Sequence, residues 1–76
     1  MKFFNVFAVP HSNQNAAFAN GCSCVTADKV VESFPSVRLP LSMEVGDAKT
    51  FLFDPEDDGR WSKVTVVCIE NDMGGV

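Results

Sequence analysis

The strictest pattern in this 76-residue chain is an alternation of apolar and polar residues between positions 37 and 45. A period of two places successive side chains on opposite faces of an extended strand, so this segment is predicted to be a half-buried strand. Pro40 has no backbone N–H to donate to a neighbour, which predicts that the strand lies at an edge of a sheet. The alternating apolar residues are Val37, Leu39, Leu41, Met43 and Val45.

Three further segments are predicted to be strands, namely 2–9, 48–54 and 60–70. Each carries apolar residues on both faces, which is typical of interior strands. Gly46 and Asp47 suit a two-residue hairpin turn between strand 37–45 and strand 48–54. Proline at the start and glycine at the end of 55–59 indicate a second turn, so the last three predicted strands form an antiparallel meander.

One amphipathic helix of about two turns is indicated before residue 37. Thr26 is a good N-cap, and Pro35 ends the helical pattern. The segment 11–20 is compatible with a short helix or with a loop, and 71–76 is predicted to be a frayed tail. The apolar residues of the helix recur at i, i+3, i+4 and i+7, as Ala27, Val30, Val31 and Phe34.

Together these segments predict a single α+β domain over residues 1–76, with a mainly antiparallel four-stranded sheet and one short helix on one face. With Pro40 at an edge, the simplest sheet order is second, third, fourth and first predicted strand. A helix of about eight residues is only about 12 Å long, so it covers one face of such a sheet. The second face then needs a cover from residues 11–25, a second copy of the chain, or another protein.

The charge of the chain narrows the classes of partner. Its formal net charge is −4, whereas binding to phosphate backbones depends on clustered Lys and Arg, so no direct nucleic-acid binding is expected. No segment approaches the ~18 apolar residues that span a bilayer, so no membrane is expected either. The apolar run 3–9 is a poor match to a secretory signal, which favours a cytoplasmic location with secretion as a minor alternative.

The cysteines are the first candidate for chemistry. Cys22, Cys24 and Cys68, with His11, supply the ligand types of a tetrahedral zinc site. Their spacing argues against one, because the single close pair is separated by one residue and zinc sites use two to four. Ordinary reduced cysteines and no cofactor are therefore expected, and a metal or redox module is kept as an alternative.

The acidic run between 54 and 58 is the second candidate. Its alternating carboxylates imitate the start of a calcium loop, but the position of the obligatory bidentate glutamate is Thr65, so no metal is predicted. The same carboxylates match a basic protein surface in sign. A half-exposed Trp61 beside the run could anchor an interface, the alternative being a place in the core. The predicted partner-binding residues are Asp54, Glu56, Asp57, Asp58, Arg60 and Trp61.

Catalysis finds little support in the sequence. His11 is the single histidine and lies in a polar segment, and so small a chain has little room for a cleft that encloses a substrate. No catalytic residue is predicted. The leading hypothesis is a small acidic protein–protein interaction module, comparable in size and charge with stoichiometric inhibitors that bacteriophages direct against host proteins. The alternatives are the cysteine-based module, an accessory subunit of a larger enzyme, and a homodimeric structural protein.

Overall fold

The computed structural model describes residues 2–15, 20–40 and 42–70. These residues form four strands in the sheet order β2-β1-β4-β3, and each strand is antiparallel to its neighbours. One helix packs on the sheet, so the predicted α+β domain with a four-stranded antiparallel sheet is confirmed. The elements are β1 (Phe3–Pro10), a 3-10 turn (His11–Asn13), β2 (Asn20–Val25), α1 (Ala27–Ser33), β3 (Ala48–Leu52) and β4 (Trp61–Ile69).

The central strands β1 and β4 supply most of the core. Their register places Val6 opposite Val66, and the two side chains are each 1% exposed or less. Alternate residues of both strands point to the same face and are buried there, as the period of two requires. These residues are Phe4, Val6, Ala8, Val64, Val66 and Cys68.

Helix α1 covers this buried face and begins where the sequence predicts. The Thr26 hydroxyl accepts a hydrogen bond from the Lys29 N–H at 3.4 Å, which satisfies one of the free donors of the first turn. Val30 of the helix and Phe34, the residue that caps its C-terminus, are both buried against the sheet. Pro35 follows directly, so the predicted helix is confirmed.

The segment 37–45, in contrast, is not a strand, and the hairpin predicted between it and 48–54 is wrong. Val37 and Met43 are buried, but Val45 is 54% exposed. A turn follows, in which the Asp47 N–H donates to the Glu44 carbonyl at 2.9 Å. The alternation of apolar and polar residues therefore reflects alternating burial in a loop that covers the core. It does not reflect pairing with another strand. Leu41 lies outside the described residues.

The fourth strand comes instead from residues 20–25, which pair with β1 at the opposite edge. At Gly21 a Cβ atom would stand 2.0 Å from the Val6 carbonyl oxygen, so only glycine allows this approach. A bulge follows, where Cys24 has a φ of +54° and its N–H donates to the Asn5 side chain at 2.9 Å. This segment extends the sheet and does not cover its second face. The relative order of the other three strands is as predicted.

Candidate interaction surface

The acidic turn, defined as residues 54–58, connects β3 to β4. The Asp54 carbonyl accepts hydrogen bonds from the N–H groups of Asp57 and Asp58, both at 2.9 Å. The Asp57 carboxylate in turn accepts from the Asp54 N–H at 3.3 Å. The backbone of the turn is therefore fixed by its own hydrogen bonds, and the Glu56 side chain projects from it without a polar contact to any described residue.

Asp58 anchors the end of this turn. One of its carboxylate oxygens accepts the N–H groups of Arg60 and Trp61 at 2.8 and 3.0 Å. Burial acts to raise the pKa of Asp58, but the backbone donors of Trp61 and Arg60 outweigh it, with smaller contributions from the Ser36 hydroxyl and the charge of His11. The net effect lowers the pKa of Asp58, because these groups favour the ionised carboxylate.

Trp61 belongs to the core and not to the surface. Its side chain is 6% exposed, and its ring centroid lies 5.6 Å from that of Phe34 in a tilted arrangement. Of the two placements that the sequence left open for Trp61, the structure shows the core and not the half-exposed interface position, because the first residue of β4 points to the face that α1 covers. The exposed neighbour is Arg60, whose guanidinium carbon lies 4.8 Å from the Trp61 ring centroid in a cation–π contact.

The charges of the acidic turn are not neutralised within the described part of the chain. Asp54, Glu56 and Asp57 are exposed. The single ion pair among the described residues joins Lys29 to Glu32 at 3.6 Å on the surface of α1. The turn therefore presents several carboxylates to solvent from a hydrogen-bonded backbone.

Strand β3 lies at an edge of the sheet, beside this turn. The Phe53 N–H donates to the Ser62 carbonyl, and the Asp47 carbonyl accepts from the Cys68 N–H. Because an antiparallel strand bonds a given neighbour through every second residue, the odd-numbered residues of this segment face β4. The β3 edge, defined here as the outward N–H and C=O groups of the even-numbered residues, is then formed by Ala48, Thr50 and Leu52.

An aromatic groove of about 590 Å³ adjoins the β3 edge on the side of the helix. The rings of Phe51 and Phe53 form one wall, nearly parallel at 5° with centroids 6.5 Å apart. The loop after α1 forms the other wall, and Asp57 joins the groove to the acidic turn. The lining residues are Pro35, Ser36, Arg38, Phe51, Phe53 and Asp57.

On the second face of the sheet the exposed apolar surface is greatest at Leu52, which is 75% exposed. Thr50 and Thr65 lie on the same face and share a hydrogen bond of 3.0 Å between their hydroxyls. Phe7 is 38% exposed, while Val67 is partly buried by its neighbours. The exposed apolar surface of this face therefore includes the end of β3 that adjoins the acidic turn.

The four residues of the zinc alternative are spread over the molecule. Cys68 is buried opposite Phe4, whereas His11 follows the far end of β1 and its Nε2 lies 2.8 Å from the Asp58 carbonyl. The six residue steps from Phe4 to Pro10 separate these positions by about 20 Å at the rise of a β-strand. Cys22 is partly buried and Cys24 is exposed. Among the described residues, no three His, Cys, Asp or Glu side chains are grouped so that they could hold a metal ion.

Two parts of this surface, the β3 edge and the aromatic groove, are not predicted from the sequence. The prediction of a strand at 37–45 assigned a neighbour to β3 and so placed the edge elsewhere. The available signal was the spacing of Phe51 and Phe53, which puts two rings on one face at the end of a strand.

Fold and surface together define the class, a small α+β domain with a fixed acidic turn beside an open sheet edge. Comparison of the chain with protein-family models, with curated proteins and with solved structures finds no match. None of the helical segments in the described ranges is long and apolar enough to cross a membrane.

Proposed function

We propose that this chain is a protein–protein interaction module that binds a basic surface of another protein through the acidic turn. By occupying that surface it acts as a stoichiometric inhibitor or regulator of its partner. The observation that supports this proposal is the set of exposed carboxylates on Asp54, Glu56 and Asp57, which no described cation pairs. The bacteriophage inhibitors remain a comparison of size and charge alone.

The hydrogen bonds within the turn strengthen the proposal. A segment that is already ordered loses little conformational freedom when it binds, so more of the interaction energy appears as affinity. The charges also act before contact, because a net charge of −4 attracts a basic partner over roughly 8 Å at physiological ionic strength. Association should therefore be fast and sensitive to salt.

Arg60 adds selectivity to an otherwise acidic surface. Its guanidinium is held over the Trp61 ring, so the side chain needs little further ordering when a partner binds. A partner that carries only basic groups meets repulsion at this point, whereas one with a hydrogen-bond acceptor among its basic residues is favoured. The buried Trp61 thus contributes by positioning Arg60 and not by direct contact.

The test compares two variants with the same change in net charge. Asp54→Lys with Glu56→Lys reverses charge in the acidic turn, while Glu32→Lys with Glu70→Lys makes the same change elsewhere on exposed residues. Tagged forms of the wild type and both variants are used to capture proteins from a lysate of the source organism. The partner is then identified, purified and titrated by calorimetry.

We expect a one-to-one complex that the turn variant weakens at least tenfold, about 1.4 kcal/mol, and that the control variant weakens far less. The loss should lie mainly in the association rate and should shrink at high salt. A partner that binds both variants equally well, or no partner for the wild type, would contradict the proposal.

A further inference from the structure

The two edges of the sheet differ in how readily they can accept another strand. Strand β2 carries the bulge at Cys24, and bulges twist an edge away from regular pairing. Strand β3 pairs with β4 in an uninterrupted register over Ala48–Leu52, and four of its five residues are exposed. The β3 edge is therefore the regular and accessible one.

We propose that the β3 edge accepts an extended, basic segment of the partner protein as a fifth strand of the sheet. This inference rests on the proposed function and specifies how the partner binds. Strand addition of this kind gains affinity from main-chain hydrogen bonds and specificity from alternate side chains. The β3 edge, the aromatic groove and the acidic turn then all contact the same ligand.

The edge supplies the main-chain bonds. Ala48, Thr50 and Leu52 direct their N–H and C=O groups away from β4, and within the described ranges these groups have no main-chain partner. An incoming strand can satisfy them without breaking any bond to β4. The exposed Leu52 side chain would then pack against a neighbour about 4.8 Å away.

The groove receives the side chains that the added strand turns toward the helix. Such a side chain lies next to Phe51 and faces the groove that this ring and Phe53 line. Aromatic rings accept both aliphatic stems and the cationic ends of Lys or Arg. Asp57 at the rim of the groove provides an acceptor for the charged end of such a side chain.

Charge decides between a basic partner and a second copy of this chain. If two β3 strands pair antiparallel about Thr50, the acidic turn of one copy lies opposite positions 42–46 of the other, with Glu56 opposite Glu44. Like charges placed opposite each other on neighbouring strands are destabilising. A register shift of two residues toward Ala48 places Lys49 of one copy opposite Lys49 of the other, which is again a pair of like charges. A basic segment, in contrast, brings opposite charge to the acidic turn.

The first test selects ligands from a phage-displayed library of random 12-residue peptides. We expect the enriched peptides to carry an excess of Lys and Arg and to alternate apolar residues. The best peptide is then titrated by fluorescence anisotropy against wild type, Thr50→Pro and Thr50→Val. Both variants lose the side-chain hydroxyl bond to Thr65, but only proline removes an outward N–H, and neither loses a main-chain bond to β4.

We expect Thr50→Pro to weaken binding at least tenfold and Thr50→Val to change it less than about threefold. A second measurement leaves the protein unaltered, so that misfolding of a variant cannot explain the result. The same peptide is prepared in two forms, one N-methylated at its odd-numbered amides and the other at its even-numbered amides. One of the two forms should lose binding. Addition of the unmodified peptide should also slow hydrogen exchange at the amides of Ala48, Thr50 and Leu52.

The outcomes separate the two proposals. Suppose that Thr50→Pro binds the peptide normally, that the wild type binds both methylated peptides normally, and that Asp54→Lys with Glu56→Lys does not bind the peptide. The inference about the β3 edge is then wrong, and the proposed function stands. If no peptide is enriched, or the enriched peptides lack basic residues and bind the turn variant normally, a basic segment is not the ligand. A dimer with protected β3 amides in the absence of peptide would identify a second copy as the occupant and overturn the proposal of a basic segment.

Discussion

At the scale of single residues, the acidic turn contains carboxylates with different tasks. Asp58 accepts two backbone N–H groups that follow it in sequence, a local arrangement that favours aspartate in turns. Glu56 has one more methylene group and makes no such bond within the described residues. The sequence predicts the run as acidic and exposed, but it cannot divide the run into anchoring and presented charges, because the division depends on turn geometry.

Replacement of Asp58 by asparagine tests the anchoring role. The lowered pKa of Asp58 means that its ionised form stabilises the fold fully at a pH above the ordinary carboxyl pKa of about 3.9. That stabilisation is lost as the pH falls through the lower pKa of the folded state. Because the group is partly solvated, we expect Asp58→Asn to cost only about 1 kcal/mol at pH 7.

Urea unfolding of wild type and Asp58→Asn between pH 7 and pH 2.5 measures this difference. It should narrow as the pH falls below about 4, where the wild-type carboxyl group becomes neutral as well. Glu56→Gln is the control and should change stability little at any pH, since Glu56 is exposed. A difference for Asp58→Asn that stays constant over the whole range would show that charge is not what the turn requires.

At the scale of secondary structure, the sequence predicts elements that depend on local signals better than elements that depend on long-range pairing. Helix α1 is predicted correctly because its cap and its apolar spacing lie within a few residues of each other. Strand β2 is missed because Asn20–Val25 has no apolar alternation and becomes a strand through its pairing with β1. The segment 37–45 is misassigned because a loop over a core and an edge strand can bury the same alternate residues.

Two alanine substitutions distinguish a covering loop from a strand. Val37 is 2% exposed and Val45 is 54% exposed, although a strand would place both on one face. We expect Val37→Ala to lower the free energy of unfolding by about 2 kcal/mol and Val45→Ala by less than about 0.5 kcal/mol. Chemical denaturation followed by tryptophan fluorescence gives both values. Similar losses for the two variants would favour the strand.

At the scale of the whole molecule, the wrong prediction of a strand at 37–45 prevented the prediction of the β3 edge. The sequence predicts the order of β3, β4 and β1 correctly, and it predicts the acidic turn as a candidate site. It places a further strand beside β3, however, and so does not predict an open edge there. Whether a sheet edge is open depends on the positions of all the other strands. The sequence of one segment therefore cannot predict it.

A single core should also make the molecule unfold as one unit. Trp61 joins helix and sheet through its contact with Phe34, and both belong to a cluster that reaches all four described strands. Tryptophan fluorescence, which reports Trp61, and far-UV circular dichroism should therefore give the same midpoint. Phe34→Leu should cost about 1 kcal/mol and lower both midpoints together by about 4–8 °C.

Val31→Ala is the matched control, because Val31 lies on the same helix with 46% of its surface exposed. This substitution should leave both midpoints within about 2 °C of the wild type, since it removes little buried surface. If Phe34→Leu instead separates the two probes, with helical signal lost before the fluorescence changes, then α1 unfolds independently of the sheet. The acidic turn would in that case keep its anchor, because Asp58 accepts a hydrogen bond from the first residue of β4.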